Sequence, residues 1–528
     1  MLSAFVAGRL KTVPTAMSHV PFRLHHFLLE NAKTQADKIA LVDEHGQATT
    51  FGDWLTAVET MHSALKGSGL RPGDRLMIVA ENSPVLTTLL LAGWMMDAWV
   101  MPVNGRLSAG EIDHLIDHAD PRLVMFTTKV SSNAKAHADR LSANAFQDHN
   151  QLAVLSRPSA EPEPVKEAAE DQVAALMYTT GTTGNPKGVM LSHASLAWYA
   201  RTSREIRHMT PHDRTFCVLP LTHIYGLASA FLGTLCAGGS LHTVQRFDPQ
   251  AVFAALRDGA TIMPAVPPMY AQLLDYAAAQ GWQTLPDMPL RHIMTGGAPL
   301  DPDWKRRVEA FFQIPLHNGY GMTECAPGIS TTQNAVLSEA TSEDVSCGHP
   351  LPELDVRVVP PPGETGLKDG VGEIIVKGPN VMLGYYKNPG ATADVMDDEG
   401  YFHTGDLGSF DADGRLSLSG RSKELIIRSG FNIYPPEVEA ALSRHPAVTM
   451  AAVVGRPIKG NEEVVAFVQV VPGELVTEDD LRTFLRDYLV PYKCPTHIII
   501  DDALPASSTG KLLKSKMLDV YGDRLPAV

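Results

Sequence analysis

A loop dense in glycine and threonine occupies residues 178–188 and follows an apolar segment. Its sequence is Tyr-Thr-Thr-Gly-Thr-Thr-Gly-Asn-Pro-Lys-Gly. Glycines allow backbone N–H groups to face an anion, threonine hydroxyls add donors, and lysine adds a mobile positive charge. The loop is not a Walker A loop, because Lys187 follows Pro186 and the chain contains no Gly-Lys-Ser/Thr. It predicts a phosphate-binding site, against the alternative of a flexible turn, with the candidate ligands Thr179, Thr180, Gly181, Thr182, Thr183 and Lys187.

Six further segments with polar or glycine-rich sequences follow along the chain. They are 219–226 (Leu-Pro-Leu-Thr-His-Ile-Tyr-Gly), 296–299 (Gly-Gly-Ala-Pro), 320–324 (Tyr-Gly-Met-Thr-Glu), 401–406 (Tyr-Phe-His-Thr-Gly-Asp), 420–424 (Gly-Arg-Ser-Lys-Glu) and 505–511 (Pro-Ala-Ser-Ser-Thr-Gly-Lys). Taken singly, each has a plain structural explanation, since an isolated acid or lysine is most often a solvated surface residue. Taken in this order with the 178–188 loop, they resemble the acyl-adenylate-forming enzymes. That family includes acyl- and aryl-CoA ligases, firefly luciferase and the adenylation domains of peptide synthetases, and the resemblance extends over nearly the whole chain.

The resemblance implies catalytic roles for four residues. Glu324 is the expected Mg²⁺ ligand, since a hard cation bound to phosphates prefers carboxylate oxygen. Thr323 would donate a hydrogen bond to the α-phosphate. Lys511 would reach the acyl carboxylate and the α-phosphate, where negative charge builds up during attack. His223 would act as a gate between the acyl pocket and the CoA tunnel.

The remaining implied roles concern the nucleotide, a hinge and CoA. Gly297 and Ala298 would leave room for a flat purine, which would stack on Tyr320. The other assignments are Asn318 for the exocyclic amine, Asp406 for the ribose hydroxyls, Arg421 in support of Asp406, Lys423 at a hinge between two domains, and Gly430 in a slim strand beside the pantetheine arm.

Two positions depart from the family pattern. Thr180 stands where serine is common, and the hydroxyl is retained. Lys514, three residues after Lys511, stands where arginine is common. It keeps the charge but loses the bidentate fork of a guanidinium. Neither departure removes a group that the predicted chemistry needs.

The reaction that the resemblance implies has two steps and uses ATP, Mg²⁺ and coenzyme A. A carboxylate attacks the α-phosphate of ATP and releases pyrophosphate, and the CoA thiol then displaces AMP from the acyl adenylate. Positioning and charge stabilisation suffice for such a transfer, so the protein need supply no nucleophile. Two alternatives stay open: delivery of the acyl group to a carrier protein or to oxygen, and a non-catalytic acyl or nucleotide sensor on the same fold.

The acid is predicted to be uncharged apart from its reacting carboxylate. By resemblance, the segment after His223 contributes to the acyl pocket, and residues 224–244 contain no Asp, Glu, Lys or Arg. A second carboxylate buried there would lack a cationic partner, at a cost of several kcal/mol. The pattern therefore favours a fatty or aryl acid over a dicarboxylate and leaves chain length open.

Alternating strand and helix patterns surround these motifs. Strand-like segments at 75–80, 98–102 and 123–126 alternate with helical ones, the second of which opens with Ser108 and Glu111 in a capping-box pattern. This βαβαβ order predicts parallel strands with helices on both faces. Further strands are predicted at 174–178, 215–219, 240–244, 261–266 and 291–295.

The pattern of predicted secondary-structure elements changes in the last third of the chain. Short strands and turns from about residue 356 predict a small β subdomain. After residue 420, helices at 435–443 and 477–489 and strands at 464–471 and 497–501 predict a compact α+β unit. The predicted fold class is α/β, with a large N-terminal domain (1–420) of doubly wound, mostly parallel sheets plus the β subdomain, and a small mobile α+β C-terminal domain (421–528).

Composition limits the partners. The formal net charge is -15, from 44 basic and 59 acidic residues, which argues against nucleic acid. None of the five cysteines forms a C-x-x-C pair, which argues against a zinc ribbon and favours a reducing, cytoplasmic location.

The apolar stretch 84–103 is interrupted by Asp97 and is interpreted as a buried helix and strand, not a membrane span. Residues 1–29 include basic residues and no acidic residue, which is a weak targeting signal. The favoured interpretation is an irregular N-terminal segment that is not a targeting peptide. The expected partners are the acid, ATP and CoA, and a homodimer is left open.

Overall fold

The computed structural model describes residues 22–147, 149–179, 186–297, 300–339, 341–342, 344–361, 366–428, 431–458, 461–471, 473–506 and 512–526. The strands in these ranges are β1 (Ile39–Val42), β2 (Ala48–Thr50), β3 (Arg75–Ala80), β4 (Trp99–Asn104), β5 (Leu123–Phe126), β6 (Asn144–Phe146), β7 (His149–Ser156), β8 (Val173–Thr179), β9 (Lys187–Ser192), β10 (Arg214–Cys217), β11 (Ser240–Thr243), β12 (Ile262–Pro264), β13 (His292–Gly296), β14 (Leu316–Gly321), β15 (Gly328–Thr331), β16 (His349–Pro350), β17 (Asp355–Val359), β18 (Gly372–Lys377), β19 (Gly384–Tyr385), β20 (Phe402–Phe410), β21 (Leu416–Arg421), β22 (Ile426–Arg428), β23 (Phe431–Ile433), β24 (Val448–Ile458), β25 (Asn461–Val470) and β26 (His497–Asp501).

The α-helices in the same ranges are α1 (His26–Gln35), α2 (Phe51–Gly67), α3 (Pro84–Met95), α4 (Ala109–Ala119), α5 (Ser132–Arg140), α6 (His193–Ile206), α7 (Gly233–Ala237), α8 (Pro249–Arg257), α9 (Pro267–Ala279), α10 (Pro302–Phe312), α11 (Pro389–Ala393), α12 (Pro435–Ser443), α13 (Glu478–Leu485) and α14 (Met517–Tyr521). A π-helix spans Tyr225–Leu232, and 3₁₀ helices span Thr323–Cys325, Ser422–Glu424, Lys514–Lys516 and Gly522–Arg524.

The first sheet has the strand order β19-β9-β8-β4-β3-β5-β7-β6. Its centre is parallel, because β3 pairs in parallel with both β4 and β5, and β4 pairs in parallel with β8. The outer strands pair antiparallel. The predicted βαβαβ order is thus confirmed, and the capping box at the start of α4 is present, with Ser108 and Glu111 each bonding the other's backbone N–H.

The apolar stretch 84–103 forms α3 and β4, as predicted. Ser83 caps α3 by accepting a hydrogen bond from the Leu86 amide, and Pro84 occupies the first turn, where no N–H is needed. Nearly every side chain of α3 is buried against the core that surrounds Trp94. Within the described ranges, no helix combines the length and the apolar character needed to cross a membrane.

The second sheet has the order β16-β15-β14-β13-β12-β10-β11-β1-β2. From β1 to β14 the inner pairs are parallel, so β13 and β14 end at the same edge. Alternate residues of β13 face opposite sides: Ile293 packs into a core with Tyr270 and Val308, whereas His292 stacks on His317 of β14. The edge at which β13 and β14 end carries the candidate site.

The segment after His223 forms a π-helix. It spans Tyr225–Leu232 and continues directly into α7. Its residues from Gly226 to Leu232 are all buried. Such wide-turned helices are rare and occur often at functional sites.

The last third of the described chain confirms the predicted change of architecture. The antiparallel sheet β17-β18-β20-β21 forms the β subdomain. After it, α12 and α13 pack on the β24-β25-β26 sheet around a core that contains Val438, Leu481 and Val464. The helix predicted at 477–489 ends at Leu485, and turns lead to Pro491, whose ring disfavours a helical conformation of the preceding residue.

Candidate active site

Glu324 lies just beyond the end of β14. The chain turns there through the 3₁₀ helix Thr323–Cys325, which leaves Thr323 partly exposed and Glu324 only 8% exposed. Oε1 of Glu324 accepts a 2.9 Å hydrogen bond from the Tyr385 hydroxyl, and its backbone carbonyl accepts a 2.8 Å bond from the Met382 amide. A carboxylate has about four lone-pair sites, so one such bond leaves capacity for a cation.

Tyr385 was not identified from the sequence. It lies on β19, where it pairs with Val189 of β9. Burial raises the pKa of its hydroxyl, and the Glu324 charge acts in the same direction. The neighbouring Tyr386 instead donates to Glu163, at 2.9 Å. The sequence shows only that two tyrosines follow Gly384. Glu324 lies 61 positions before Tyr385, so sequence spacing does not connect the two residues.

Lys187 stands next to this pair. It opens β9 opposite Thr179, the last residue of β8, so the phosphate-loop candidate connects two antiparallel strands. Its Nζ lies 4.6 Å from the centroid of the Tyr385 ring, a cation–π distance. Lys187, Tyr385 and Glu324 thus form one connected group. The loop residues that lie outside the described ranges are Thr180, Gly181, Thr182 and Thr183.

Asp406 joins Tyr320 to the β subdomain. Its Oδ2 accepts a 2.8 Å hydrogen bond from the Tyr320 hydroxyl, and its Oδ1 lies 2.9 Å from Nε of Arg421. Asp406 and Arg421 are direct cross-strand neighbours on β20 and β21. Burial acts to lower the pKa of Arg421, but the negative charge of Asp406 together with that of Glu424 and Glu324 outweighs it, and the net shift is upward. The structure thus brings together Asp406, Arg421 and Tyr320, the residues predicted to bind the ribose, to support Asp406 and to stack on the purine. The hydroxyl bond to Asp406 fixes the Tyr320 ring.

The purine-turn candidates lie at the ends of β13 and β14. Gly297 has a φ of +77° and no heavy atom within 4 Å of a Cβ built on it, so its surroundings are open. At Gly296 a Cβ would lie 2.8 Å from the Gly319 carbonyl oxygen, so the strands approach too closely for a side chain there. Ala298 lies outside the described ranges.

The Asn318 side chain is engaged in hydrogen bonds within the protein, which the sequence did not predict. Its side-chain amide donates to the carbonyl oxygens of Val345 and Ser346, both at 3.1 Å, and the residue is 4% exposed. The amide nitrogen therefore holds the 344–347 segment. Only Oδ1 remains as the atom that could accept a hydrogen bond from an exocyclic amine.

His223 lies at the start of the π-helix and is exposed. Its Nδ1 accepts a 3.3 Å hydrogen bond from the Tyr225 amide, and its carbonyl accepts one of 3.0 Å from the Leu227 amide. The first bond orients the His223 ring, and the second fixes its backbone at the start of the buried π-helix segment. The position suits a gate, and that role stays a prediction.

Arg207, at the end of α6, brings a charge that residues 224–244 do not contain. It is 5% exposed and its guanidinium donates to the Ser229 carbonyl at 2.9 Å and to the Ser229 hydroxyl. The uncharged-acid prediction considered residues 224–244 together with Met294, Met322, Ala326 and Pro327, and it did not include α6. The structure adds a buried cation from a neighbouring helix.

The hinge and the C-terminal lysine motif are connected through Lys514. Its Nζ lies 2.9 Å from Glu424 and 2.8 Å from Glu439. Burial alone would lower the pKa of Lys514, but Glu439 and Glu424 raise it overall. Glu424 belongs to the same 3₁₀ helix as the exposed Lys423. Lys511 and Gly430 lie outside the described ranges.

The donor set near Glu324 fits a metal that is held mainly by phosphate. Among the described residues, no group of three or more His, Cys, Asp or Glu side chains could hold a metal ion. A single carboxylate beside a lysine and a predicted phosphate loop suits Mg²⁺, which keeps water and substrate phosphates among its ligands.

Comparison with known proteins identifies the family. A sequence model of the AMP-binding enzymes matches residues 28–386, and a model of the AMP-binding enzyme C-terminal domain matches residues 437–511. The chain belongs to the AMP-binding enzyme family. Both parts of the family's architecture are therefore present, in the order that the motifs predicted.

Two similar relatives are named as CoA ligases. The chain is 35% identical to a feruloyl-CoA synthase of an Amycolatopsis species over 90% of its own length and 95% of the relative's. It is 31% identical to 4-coumarate–CoA ligase 5 of Oryza sativa subsp. japonica over 96% of each chain. Among solved structures, ATP-bound MatB from Rhodopseudomonas palustris matches with a TM-score of 0.81 at 29% identity, over 95% of this chain and 100% of that one. The apo form of the same protein matches with a TM-score of 0.70 at 29% identity, over 95% of this chain and 99% of that one.

The chain is an acyl-CoA synthetase, an AMP-forming acid–thiol ligase that uses ATP, Mg²⁺ and CoA. The α/β fold with a large N-terminal and a smaller C-terminal domain agrees with the prediction.

Proposed function

We propose that this AMP-binding enzyme ligates an aryl acid to CoA and that adenylation takes place at the corner formed by Lys187, Glu324 and Asp406. The observation that carries the proposal is the convergence of a cation at the end of β8, a buried carboxylate just beyond β14 and the Asp406–Arg421 pair of β20 and β21, whose arginine is influenced by the Glu324 charge. The aryl preference is supported by the relatives named for ferulate and 4-coumarate. A fatty acid is the second candidate.

Each residue has a separate task in this proposal. Lys187 and Thr323 bind phosphate oxygens, and Tyr320 and Asp406 hold the nucleoside. Mg²⁺, bound by Glu324 and phosphate, would reduce the charge that repels an approaching carboxylate. Lys511 stabilises the charge that develops during attack on the α-phosphate. His223 separates the acid from the CoA tunnel until the adenylate has formed.

A substrate screen tests the proposal. Pyrophosphate release is measured with ATP and ferulate, 4-coumarate, benzoate, octanoate or malonate, followed by CoA-dependent release of AMP. We expect the aryl acids to give the highest kcat/KM and AMP release to require CoA. Pyrophosphate release that CoA does not affect would instead indicate a carrier protein or oxygen as acyl acceptor. No pyrophosphate release with any acid would indicate a sensor.

We also propose that residues 421–528 form the C-terminal domain and rotate between the two steps, with Lys423 near the pivot. The family matches fall on either side of the 3₁₀ helix Ser422–Glu424, which supports this boundary. The two forms of MatB match this chain with TM-scores of 0.81 and 0.70 at the same identity. Because these are two forms of one protein, the difference supports a family fold whose parts can change their arrangement.

Cytoplasmic location and a homodimer complete the proposal. Location is supported by the five cysteines, all of which are free. Fractionation of the producing cell tests the location, and light scattering of the purified chain tests the dimer.

A further inference from the structure

A histidine at the end of α4 lies beside the strands that carry Lys187. His118 occupies the last turn of α4, and its Nδ1 lies 2.6 Å from the hydroxyl oxygen of Tyr178, a hydrogen-bond distance. Tyr178 belongs to β8, one residue before that strand ends at Thr179. The bond joins residues 60 positions apart, so sequence spacing does not reveal it.

The Tyr178 ring lies over the backbone of β9. Tyr178 pairs with Gly188 across the two strands, and Lys187, the residue before Gly188, pairs with Thr179. A Cβ built on Gly188 would lie 3.2 Å from Cζ and 3.4 Å from the hydroxyl oxygen of Tyr178. A side chain at position 188 would press on the ring, so the glycine permits this close contact. The ring therefore packs on the strand that presents Lys187.

Tyr386 holds the same glycine from a third segment. The Gly188 carbonyl oxygen accepts a 2.7 Å hydrogen bond from the Tyr386 amide. The His118 ring meets both tyrosine rings edge-on, with centroid distances of 5.6 Å to Tyr178 and 5.9 Å to Tyr386. Edge-to-face contacts at such distances are favourable between aromatic rings. His118 thus contacts both tyrosines that hold Gly188.

Lys387 attaches the same segment to the end of α4. Its Nζ donates to the His118 carbonyl oxygen at 2.9 Å, one of the last carbonyls of the helix. Burial lowers the pKa of His118, and the positive charges of Lys387 and His114 act in the same direction. Burial raises the pKa of the Tyr178 hydroxyl. At pH 7 the ring is therefore neutral and the hydroxyl protonated, so one donates and the other accepts.

His118 supports the sheet from the face opposite Lys187. Tyr178 and Tyr386 pack with the core that α4 covers, whereas Tyr385 belongs to the core on the other face. Successive side chains of a strand point to opposite faces, so Lys187 points away from the face on which Tyr178 covers Gly188. Its Nζ lies accordingly against Tyr385, 4.6 Å from the ring centroid.

We propose that His118 is a positioning residue for adenylation, which holds Tyr178 and Tyr386 and thereby fixes the strand ends that direct Lys187 at the phosphates of ATP. His118 does not touch the nucleotide and acts through Lys187. Without the bond, the ends of β8 and β9 are held less firmly, and the lysine is directed less accurately. The inference rests on the proposed adenylation at the corner of Lys187, Glu324 and Asp406.

Substitutions that separate the ring from its nitrogen test the inference. Pyrophosphate release is measured with ATP varied and with the best acid of the substrate screen at saturation. His118→Phe keeps a ring and removes the hydrogen bond, so the KM for ATP should rise about 3- to 10-fold, the range of one neutral hydrogen bond. The KM for the acid should stay unchanged. An unchanged KM for ATP would overturn the proposal.

Three further variants assign the effect to the bond. His118→Asn places an amide, which can donate or accept, at the position of Nδ1 and should restore most of the affinity for ATP. Tyr178→Phe removes the other partner and should match His118→Phe. His114→Phe, at an exposed position of the same helix, is the matched control and should keep the wild-type KM. A KM for ATP in His118→Asn as high as in His118→Phe would contradict the assignment.

A double variant tests whether His118 acts through Lys187. Lys187→Met removes the charge that His118 is proposed to position, so adding His118→Phe should raise the KM for ATP no further. Additive increases would overturn the proposed positioning. An unchanged KM for ATP in Lys187→Met alone would instead refute the role of Lys187 in the proposed corner, and the inference would fail with it.

A purely structural role gives a different result. If His118 only stabilises α4, His118→Phe lowers the melting temperature and kcat while the KM values for ATP and the acid stay unchanged, which overturns the proposal. If His118→Phe does not fold, Tyr178→Phe carries the test. It must then raise the KM for ATP and be non-additive with Lys187→Met, or the proposal fails.

Discussion

The two ends of the proposed site differ in how their polar groups are satisfied. At the nucleotide end, Glu324 already accepts from Tyr385, and Asp406 is held by Tyr320 and Arg421. At the acyl end, among the described residues, the Tyr225 hydroxyl has no hydrogen-bond partner and the Arg207 guanidinium is not paired with a carboxylate. The nucleotide is the same in every turnover, so its receptor can be fixed in advance. The acid differs between the named relatives, so we expect members of the family to differ more at this end than at the nucleotide end.

This comparison predicts two kinds of mutational effect. A variant at the nucleotide end should lower kcat/KM by the same factor for every acid. A variant at the acyl end should change the order in which acids are preferred.

The largest effect is expected for Lys511→Ala. Loss of a charge-assisted contact to the reacting phosphate should slow acyl-AMP formation by about 10²–10³. Conversion of supplied acyl-AMP to acyl-CoA should stay largely intact. Rapid-quench measurement of each half-reaction checks this, with the exposed Lys516→Ala as matched control. Equal losses in both half-reactions would contradict the alternation of the C-terminal domain.

Lys423→Pro should have the opposite pattern. Proline fixes φ at the pivot, and a conformational cost of about 3 kcal/mol on the thioester-forming arrangement corresponds to roughly 10² in rate. We expect thioester formation from supplied acyl-AMP to slow by this factor while adenylation continues. Lys423→Ala, which removes the side chain but leaves φ free, is the control. A loss confined to adenylation would refute the assignment of the pivot.

Glu324→Gln should reduce adenylation by about tenfold to a hundredfold at limiting Mg²⁺. The amide keeps the volume and can still accept the Tyr385 hydrogen bond, so the melting temperature should change little. A magnesium titration of pyrophosphate release, with ferulate and octanoate in parallel, measures the effect. Full activity at limiting Mg²⁺, or a different factor for the two acids, would argue against the proposed role.

Tyr385→Phe is expected to have the smallest effect, about tenfold in apparent Mg²⁺ affinity. The ring that contacts Lys187 remains, and only the hydroxyl that orients Glu324 is lost. At saturating Mg²⁺, kcat should approach that of the wild type. In combination with Glu324→Gln the two losses should be less than additive, because they act on one interaction. Full additivity would show that the two groups act separately.

The fold was largely predictable because its signals are local. The strands at 75–80 and 123–126, the helix at 435–443 and the strand at 497–501 have the predicted bounds, and the capping box of α4 marks its start. The strand predicted at 215–219 ends at Cys217 instead. Beyond it, the Leu219 carbonyl accepts from Asn82 at 2.9 Å and the Leu221 amide donates to Asn82 at 2.8 Å. A side chain more than a hundred residues away thus removes the last two residues from the sheet.

The residues of the candidate site were also predictable where their signals are local and unpredictable where they depend on tertiary contacts. Lys187, Glu324, Asp406 and Arg421 are parts of motifs and were identified by type and order. Tyr385 and Arg207 were missed because each acts through a tertiary contact, with Glu324 and with Ser229, that no spacing rule predicts. Asn318 was identified, but its amide is committed to backbone carbonyls, which only the structure reveals.

The π-helix at Tyr225–Leu232 has a consequence for how acid choice can evolve. Its i→i+5 bonding holds one residue more per turn than an α-helix. Deleting one residue can be absorbed by a return to the narrower turn, so that the segments on either side keep their orientation. Because α7 follows directly and Arg207 holds Ser229, the change would be confined to the wide turns themselves. A single-codon deletion here can therefore alter the local shape of this segment while the rest of the domain keeps its register.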